Sequence, residues 1–359
     1  MKNSIIVDSI LEMMEKEHLN LYHSISKQEI LEYKEKIDWD NLSSTEFDYQ
    51  MSKIFAMFKD AHTTFALPRI RTNKKFWLIN EKIYLRNNGK LEEIISINDI
   101  CSNDLIDLAK NMTSWETEAW AKFKVEECLN NLYFYEMIGK KLNDKILCTT
   151  SNHEEICVSR LEKCSKVRTN QHPWYDYKII NDVLYVQYAR CQDMQNYPFR
   201  HMVKEIAQEI ENIGISAYIL DVRGNTGGNS EILNPFQTLM AEKKLKGAVL
   251  IDYKTFSSGR WAVARFKKHL NATLIGEATG GSAKSYGNNK HLEFASKKFS
   301  VSTKFFDFSD IGYTQSFIPD IEIKPTIKDI ENREDKALEV ALKFLSANKT
   351  RSQELTNRI

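Results

Sequence analysis

The chain has 359 residues, of which 42% are hydrophobic and 28% are charged, and its formal net charge is +1. This composition is typical of a soluble globular protein, and the length predicts two or three domains rather than one core. A net charge so close to zero argues against a surface dedicated to nucleic acid, so no nucleic-acid partner is expected.

The cysteines and the N-terminal residues indicate neither a metal site nor secretion. The six cysteines form no CxxC pair and no metal-type spacing with histidine, so neither a zinc site nor a redox motif is indicated and we expect free, buried thiols. No metal and no cofactor are expected. Acidic residues interrupt the apolar residues of MKNSIIVDSILEMMEKEHLN, unlike the core of a secretory signal. No later apolar run has transmembrane length. We therefore expect a cytoplasmic protein without a membrane partner.

Residues 1–66 are predicted to form a small helical domain. Apolar residues recur there at helical spacing, and Ser43 or Ser44 suits a helix N-cap. The pattern ends at KDAHTTF, residues 59–65, and Pro68 stops any helix beyond it. His62 lies at this junction. A lone histidine is usually a structural or surface residue, so its position by itself is weak evidence for catalysis.

Residues 67–172 are predicted to form a middle α+β domain. Short β-like runs (FWLI, KIYLRN, LEEIISIN) surround a turn signal at Asn87-Asn88-Gly89, and a helical stretch follows over 103–141. Strands are expected again around Ile146 and Ile156. The polar run 163–172 before Pro173 is the best linker candidate, so a domain boundary is placed there.

Residues 173–359 are predicted to form an α/β core. A hairpin over 179–188 and an amphipathic helix over 197–212 come first. Three strand-and-helix units follow, with strands at Ala217–Val222, Ala248–Tyr253 and Ala272–Ile275, and with helices from about Ser230 and Ser258. A last helix is expected over Glu331–Leu345. This alternation predicts a sheet with helices packed on it.

Two turns of this core are candidates for one catalytic centre. In the first, a buried strand leads into RGNTGG, where glycines let backbone N–H groups face a ligand. In the second, TFSSG places a serine between a buried strand and a helix, which suits a nucleophile beside an oxyanion donor. Serine is also a favoured N-cap, and many such serines do only that. The glycine turn fits neither common nucleotide-binding motif, so a hydrolase is one option among several.

Four motifs in this order, DVRGNTGG, TFSSG, LIGEATGG and FIPDIEI, resemble the C-terminal-processing (tail-specific) serine peptidases and their tricorn-core relatives. The resemblance covers most of 179–345, and KDAHTTF and LEEIISIND extend it into the first half. It implies a crotonase/ClpP-like α/β core after an N-terminal helical domain and a degenerate PDZ-like or α+β middle domain. A DAHT-type motif supplies the catalytic histidine in the tricorn-like branch, which implies His62 here.

The resemblance also implies the other catalytic residues. The family nucleophile lies twenty residues before the acid of the GE pair, and counting back from Glu277 gives Ser257, with Ser258 as the fallback. The N–H of Ser258 and that of Gly227 or Gly228 would then form the oxyanion hole. The residues expected to bind substrate are Asn225 and Thr226 in DVRGNTGG and Gly280 and Gly281 in LIGEATGG.

This sequence departs from the family at two positions. The tail-specific branch has a lysine base where Ser282 stands, and Lys284 is two residues away, so the Ser-His branch is preferred. In that branch a glutamate six residues before the PD pair orients the histidine, and this chain has Tyr313 there. Three explanations remain: Asp307 or Asp310 orients His62 instead, the Tyr313 hydroxyl orients the ring, or peptidase activity has been lost. Of the two acids, we assign the role to Asp310.

Three functions are compatible with these residues. The first is a serine peptidase acting on peptides or proteins through an acyl-enzyme, with Ser257 as nucleophile and His62 as general base. The second is an inactive homologue that binds a peptide or small ligand, and the third is an ester or thioester hydrolase on a crotonase-like core. Relatives of this family often assemble, so a homo-oligomer is also an expectation.

Overall fold

The computed structural model describes residues 1–140, 144–162 and 173–356, with side chains up to residue 346. Its contacts group the chain into two compact units. The first comprises Met1–Val167 and Ser285–Phe306, and the second comprises Arg168–Lys284 and Asp307–Ile359. The division into three domains at residues 66 and 172 stays a prediction, and the predicted linker 163–172 lies outside the described residues.

Three helices open the first unit: α1 (Asn3–Glu17), α2 (Lys27–Glu35) and α3 (Ser44–Met57). Their apolar faces share one buried cluster, which confirms the helical pattern predicted for this segment. Ser43 is the N-cap of α3: its side chain accepts from the N–H of Glu46, and the Glu46 carboxylate accepts from the N–H of Ser43. A loop after α3 leads to the short strand β1 (Thr64–Phe65).

An antiparallel sheet follows, with strands at the predicted β-like runs, and the predicted helical stretch over 103–141 consists of three separate helices. The strands are β2 (Phe76–Ile79), β3 (Lys82–Asn87), β4 (Lys90–Ile97), β5 (Ile100–Cys101), β6 (Lys145–Thr150) and β7 (Glu155–Ser159). The helices are α4 (Ser102–Asn111), α5 (Glu118–Leu129) and α6 (Leu132–Met137). The sheet order is β2-β3-β4-β6-β7, with β5 pairing to β4. Its PDZ-like character stays a prediction.

The second unit begins with the predicted hairpin, formed by β8 (Tyr175–Ile180) and β9 (Val183–Tyr188). The alternating elements that follow are α7 (Phe199–Ile213), β10 (Ala217–Asp221), α8 (Asn234–Lys243), β11 (Lys246–Ile251), α9 (Ser258–Leu270) and β12 (Thr273–Gly276). The helix predicted from Ser230 starts as a single 3-10 turn over Ser230–Leu233 and becomes α-helical only at Asn234.

Two long strands, β13 (Lys284–Phe294) and β14 (Lys297–Asp307), carry the chain back into the first unit. There β14 pairs antiparallel with β1, so that Thr64 lies opposite Ser300 and Phe65 opposite Phe299. Thr64 and Ser300 are 236 residues apart in the chain and share a hydroxyl hydrogen bond of 2.9 Å. The segment that contains His62 is thereby held by strands from much later in the sequence.

The remaining elements, in the second unit, are β15 (Ile321–Glu322), α10 (Ile327–Asn332) and α11 (Lys336–Thr356). The single helix predicted over Glu331–Leu345 is wrong at its start. Arg333 adopts a left-handed conformation with φ of 59°, which ends α10, and α11 begins three residues later.

The sheet of the second unit is covered by helices on both faces. Its order is β15-β12-β11-β10-β9-β8, with every pair parallel except β8 and β9. Tyr218 and Leu220 pack in a cluster with α7, α8 and α9, whereas Ile219 packs in a cluster with α11. Because both faces are buried, the central strands β10, β11 and β12 are largely apolar, whereas the edge strand β8 carries Asp176 and Lys178.

Two further findings concern the sequence-based expectations. The five cysteines in the described part of the chain are free thiols, but only Cys148 and Cys191 are buried, whereas Cys101 and Cys157 are exposed. Among the described helices, none is long and apolar enough to cross a bilayer.

Candidate active site

Ser257 lies at a strained turn between β11 and α9. Its φ of 49° and ψ of −122° are unusual for a non-glycine residue, and such strain accompanies serines held on sharp strand-to-helix turns. It occupies the N-cap position of α9, yet its side chain makes no capping hydrogen bond. The interpretation of this serine as an ordinary N-cap is therefore wrong, and its hydroxyl is not used by the helix.

Ser258, the alternative nucleophile, has its hydroxyl committed elsewhere. Its Oγ donates to the carbonyl oxygen of Gly228 at 2.6 Å, which ties the serine turn to the glycine-rich turn after β10. The two serines therefore differ. The hydroxyl of Ser258 stabilises the local structure, whereas that of Ser257 donates to no acceptor within the described residues.

Glycine is required at both positions of the Gly227-Gly228 pair. Both have positive φ, 113° and 134°. A Cβ added to Gly227 would lie 2.7 Å from Cβ of Ser257, and one added to Gly228 would lie 2.2 Å from the carbonyl oxygen of Cys191. The backbone of the glycine turn thus lies directly against the side chain of Ser257.

The hydrogen bonds of this turn show which of Gly227 and Gly228 has a backbone N–H available as an oxyanion donor. The N–H of Gly227 donates to Oδ1 of Asn225 at 2.9 Å and is therefore already used. Over the described residues, the N–H groups of Gly228 and Ser258 donate to no acceptor. Ser258 is also the first residue of α9, where the helix dipole favours negative charge. Of the two glycines, Gly228 is the one with a donor available.

Asn225, predicted to bind substrate, is fully buried and braces the site. Its Nδ2 donates to the carbonyl oxygen of Tyr188 at 2.7 Å, and its own carbonyl oxygen accepts from the N–H of Phe256 at 2.9 Å. Its side chain is thus used within the fold. The neighbouring Thr226 is exposed, which suits the predicted substrate contact.

The second predicted substrate loop, which contains Gly280 and Gly281, also adjoins the serine turn. Both glycines are buried, and the N–H of Gly281 donates to the carbonyl oxygen of Thr255 at 3.0 Å. The substrate roles of Asn225, Thr226 and the two glycines stay predictions.

Arg223 anchors the glycine turn to the rest of the second unit. Its guanidinium forms a bidentate pair with each of two carboxylates: Asp221 at 2.6 and 2.9 Å, and Asp335 at 2.7 Å on both oxygens. Paired guanidinium and carboxylate groups of this geometry hold a backbone segment firmly. The charged DVR sequence therefore serves to position the turn.

Cys191 is the other nucleophilic side chain beside this turn. Its Sγ lies 3.5 Å from Oδ1 of Asn225, and the residue is buried. Burial raises the pKa of the Cys191 thiol to about 11, so it is not a reactive thiolate at neutral pH.

His62 lies in the first unit, in the loop between α3 and β1, and is 5% exposed. Its backbone is fixed on both sides: its N–H donates to Oδ1 of Asp60 at 2.9 Å, and its carbonyl oxygen accepts from the hydroxyl of Ser300 at 2.8 Å. A Cβ on Gly287 would lie 3.4 Å from Cε1 of the ring, so β13 packs closely against the imidazole.

Two carboxylates of the first unit lie close to the His62 ring. One ring nitrogen of His62, one oxygen of Asp60 and one oxygen of Glu116 all lie within 4.8 Å of one another. Sequence reasoning assigned no role to either acid. Asp60 lies in the DAHT motif itself and could have been noticed, whereas Glu116 lies 54 residues after His62 in the loop between α4 and α5, which has no periodic signal.

Asp60 is almost fully saturated with hydrogen bonds. Besides the N–H of His62, it accepts from Nε2 of His18 at 2.9 Å and from the hydroxyl of Thr63 at 2.6 Å. Nδ1 of His18 accepts from the N–H of Asn20, so Nε2 carries the proton that reaches Asp60. Burial alone would raise the pKa of Asp60, but these hydrogen bonds and the nearby His62 hold it well below the ordinary value.

These three residues are also the one group with metal-type ligands among the residues that the structure describes. Two carboxylates and an imidazole can hold a divalent cation. The oxygens of Asp60, however, already accept three hydrogen bonds, so this group fits a metal poorly.

The acids proposed from the sequence lie in the second unit. Asp310 pairs with Lys268, Asp307 pairs with Lys284 at 3.2 Å, and both carboxylates are substantially exposed. Tyr313 packs its ring against Phe317 with 5.0 Å between centroids, and burial raises the pKa of its phenol.

The sequence matches no family model and no curated protein. Its structure is similar to solved ones along the whole chain. Mature CPAF gives a TM-score of 0.66 at 12% identity, covering 99% of this chain and 98% of that one. Mature CPAF complexed with lactacystin gives the same score and identity. A "putative peptidase" from Parabacteroides merdae ATCC 43184 gives 0.54 at 14% identity, covering 96% of both chains.

These similarities confirm the fold expected from the four motifs. The chain has a mixed α/β fold that it shares, along nearly its whole length, with mature CPAF and with the Parabacteroides putative peptidase. At 11–14% identity the likeness concerns the fold, so the activity must be argued from the residues of this chain.

Proposed function

We propose that this protein is a serine peptidase that acts on peptides or proteins in the cytoplasm. The observation that carries the proposal is the Ser257 turn, where a strained serine with an uncommitted hydroxyl lies beside the N–H groups of Gly228 and Ser258. A full-length peptidase-type fold supports it. Backbone donors preorganised in this way stabilise the oxyanion of acyl transfer.

In the proposed mechanism, His62 takes the proton of the Ser257 hydroxyl while Oγ attacks the substrate carbonyl carbon. The N–H groups of Gly228 and Ser258 hold the oxyanion of the tetrahedral intermediate. His62 then gives the proton to the leaving amine, which leaves an acyl-enzyme on Ser257. Water, activated by His62, hydrolyses this ester and restores both residues.

A peptide library incubated with the wild type, Ser257→Ala and His62→Ala tests the proposal. We expect cleavage by the wild type, a loss of at least about 10³-fold in each variant, and labelling of the wild type by a fluorophosphonate. Ser151→Ala, which changes an exposed turn serine, is the control and should behave as the wild type. Cleavage that survives both active-site substitutions refutes the mechanism, and peptide binding without turnover or labelling would indicate an inactive homologue.

A further inference from the structure

The resemblance to the serine peptidases does not identify the carboxylate that would orient His62. Tyr313 stands where the resemblance places that acid, and the nearby Asp307 and Asp310 are each paired with a lysine of their own unit. We propose that Glu116 is the positioning residue that orients His62. This inference rests on the proposed function, because it assigns His62 the role of base.

The first support is proximity within one compact unit. A carboxylate oxygen of Glu116 and a ring nitrogen of His62 are within 4.8 Å of each other, and Glu116 is half-buried. Asp60 lies within the same 4.8 Å, but its oxygens already accept from three donors, which leaves little capacity for the ring N–H. Glu116 is thus the better candidate for a hydrogen bond to the imidazole.

The second support is that the loop of Glu116 is fastened to the loop of His62. The hydroxyl of Ser114 donates to the carbonyl oxygen of Thr63 at 2.8 Å. The ammonium of Lys59 lies 4.2 Å from the ring centroid of Trp115, the residue before Glu116. These contacts fix the two loops relative to each other, which keeps the Glu116 carboxylate near the His62 ring.

A carboxylate at this position would give His62 the properties of a general base. Accepting a hydrogen bond from one ring nitrogen fixes the tautomer, so that the other nitrogen is the one that takes the Ser257 proton in the proposed mechanism. The negative charge then stabilises the imidazolium, while the proton stays on the histidine. Among the described residues, the carboxylates within 4.8 Å of a ring nitrogen are those of Asp60, from its own loop, and Glu116, from the α4–α5 loop. Gly287 of β13 packs on the ring, His18 shares the Asp60 carboxylate, and the ammonium of Lys59 lies over Trp115.

Glu116→Gln tests the inference, because glutamine keeps the shape and removes the charge. We expect kcat to fall about 10³- to 10⁴-fold with KM changed less than about threefold, and the acidic limb of the kcat/KM profile to move to lower pH as the imidazolium loses its partner. Glu116→Asp should recover part of the rate. The matched control is Glu118→Gln, two residues away, whose carboxylate is 75% exposed and pairs with Lys110.

The inference is wrong if Glu116→Gln keeps the wild-type rate and pH profile, or if Asp310→Asn causes the loss instead. A wild type without Ser257-dependent turnover would refute the proposed function but still leave Glu116 testable. In that case the His62 ring, assigned with His62→Ala, is titrated by NMR: its pKa should fall in Glu116→Gln and not in Glu118→Gln. An unchanged titration would refute the contact itself.

Discussion

The hydroxyl of Ser258 donates to the carbonyl oxygen of Gly228 at 2.6 Å, joining the turn after β11 to the turn after β10. This bond has two consequences. It occupies the hydroxyl of Ser258, the alternative nucleophile. It also fixes the two turns whose N–H groups we propose as oxyanion donors. The adjacent Ser257 differs, since its hydroxyl makes no capping bond.

Ser258→Ala should therefore weaken the site without abolishing it. The substitution removes one hydrogen bond and keeps the backbone N–H, so we expect a loss of about 1 kcal/mol in the free energy of unfolding and a partial loss of kcat. Urea denaturation and steady-state kinetics measure the two effects. If Ser258→Ala blocks fluorophosphonate labelling while Ser257→Ala does not, the nucleophile is Ser258.

Gly227→Ala should abolish activity. The new Cβ would meet Cβ of Ser257 at 2.7 Å at a φ of 113°, so either the serine or the turn must move. Gly224→Ala is a matched control from the same turn: its φ is also positive, at 72°, but its Cβ would meet nothing within 4 Å. We expect the control to lose about 1 kcal/mol of stability and keep most of its kcat, and equal losses in both variants would argue against a steric effect on Ser257.

Sequence reasoning located the elements that carry the proposed nucleophile, because local patterns determine them. Buried strands such as β10 and β11 are continuous apolar runs, and the glycine and serine turns directly follow them. Local patterns were insufficient at Arg333, whose left-handed conformation splits the predicted C-terminal helix.

The surroundings of His62 could not be predicted because they depend on distant segments. Its neighbours come from the α4–α5 loop and from β13 and β14, and β14 pairs with β1 across 236 residues of sequence. Such contacts have no periodicity in the sequence. The same reason hid the structural role of Asn225, which was expected to bind substrate but is fully buried, with its side chain hydrogen-bonded to Tyr188 at the end of β9 and to Gly227.

Asp60→Asn should destabilise the first unit. The carboxylate is buried and accepts from His18, His62 and Thr63, and a hydrogen bond to a charged group contributes about 1.5–3 kcal/mol. Because the pKa of Asp60 is depressed in the folded state, the stabilisation is present above the unfolded pKa of about 3.8 and is lost as the pH falls below it. Urea unfolding at pH 7 and pH 3 should show the difference from the wild type shrinking at the lower pH. Asp8→Asn, which affects an exposed ion pair with Lys34, should change little.

Tyr313→Phe should keep the wild-type kcat within about twofold. The ring packs against Phe317, and phenylalanine preserves that contact, so only the hydroxyl is lost. If the hydroxyl instead orients the catalytic base, kcat should fall by orders of magnitude, as it does when a triad loses its orienting group. Steady-state kinetics beside Glu116→Gln separate the two explanations, because each predicts a loss in only one of the variants.

Lys284→Ala distinguishes the Ser-His form of the enzyme from the Ser-Lys form. A lysine that serves as general base is usually desolvated so that it can lose its proton, whereas Lys284 is 43% exposed and forms an ion pair with Asp307 at 3.2 Å. An exposed pair of this kind contributes about 0–1 kcal/mol, so we expect little change in stability and a kcat within about twofold of the wild type. Asp307→Asn, which removes the other half of the pair, should give the same small effect. If Lys284→Ala alone abolishes peptide cleavage while Asp307→Asn and His62→Ala do not, the base is the lysine.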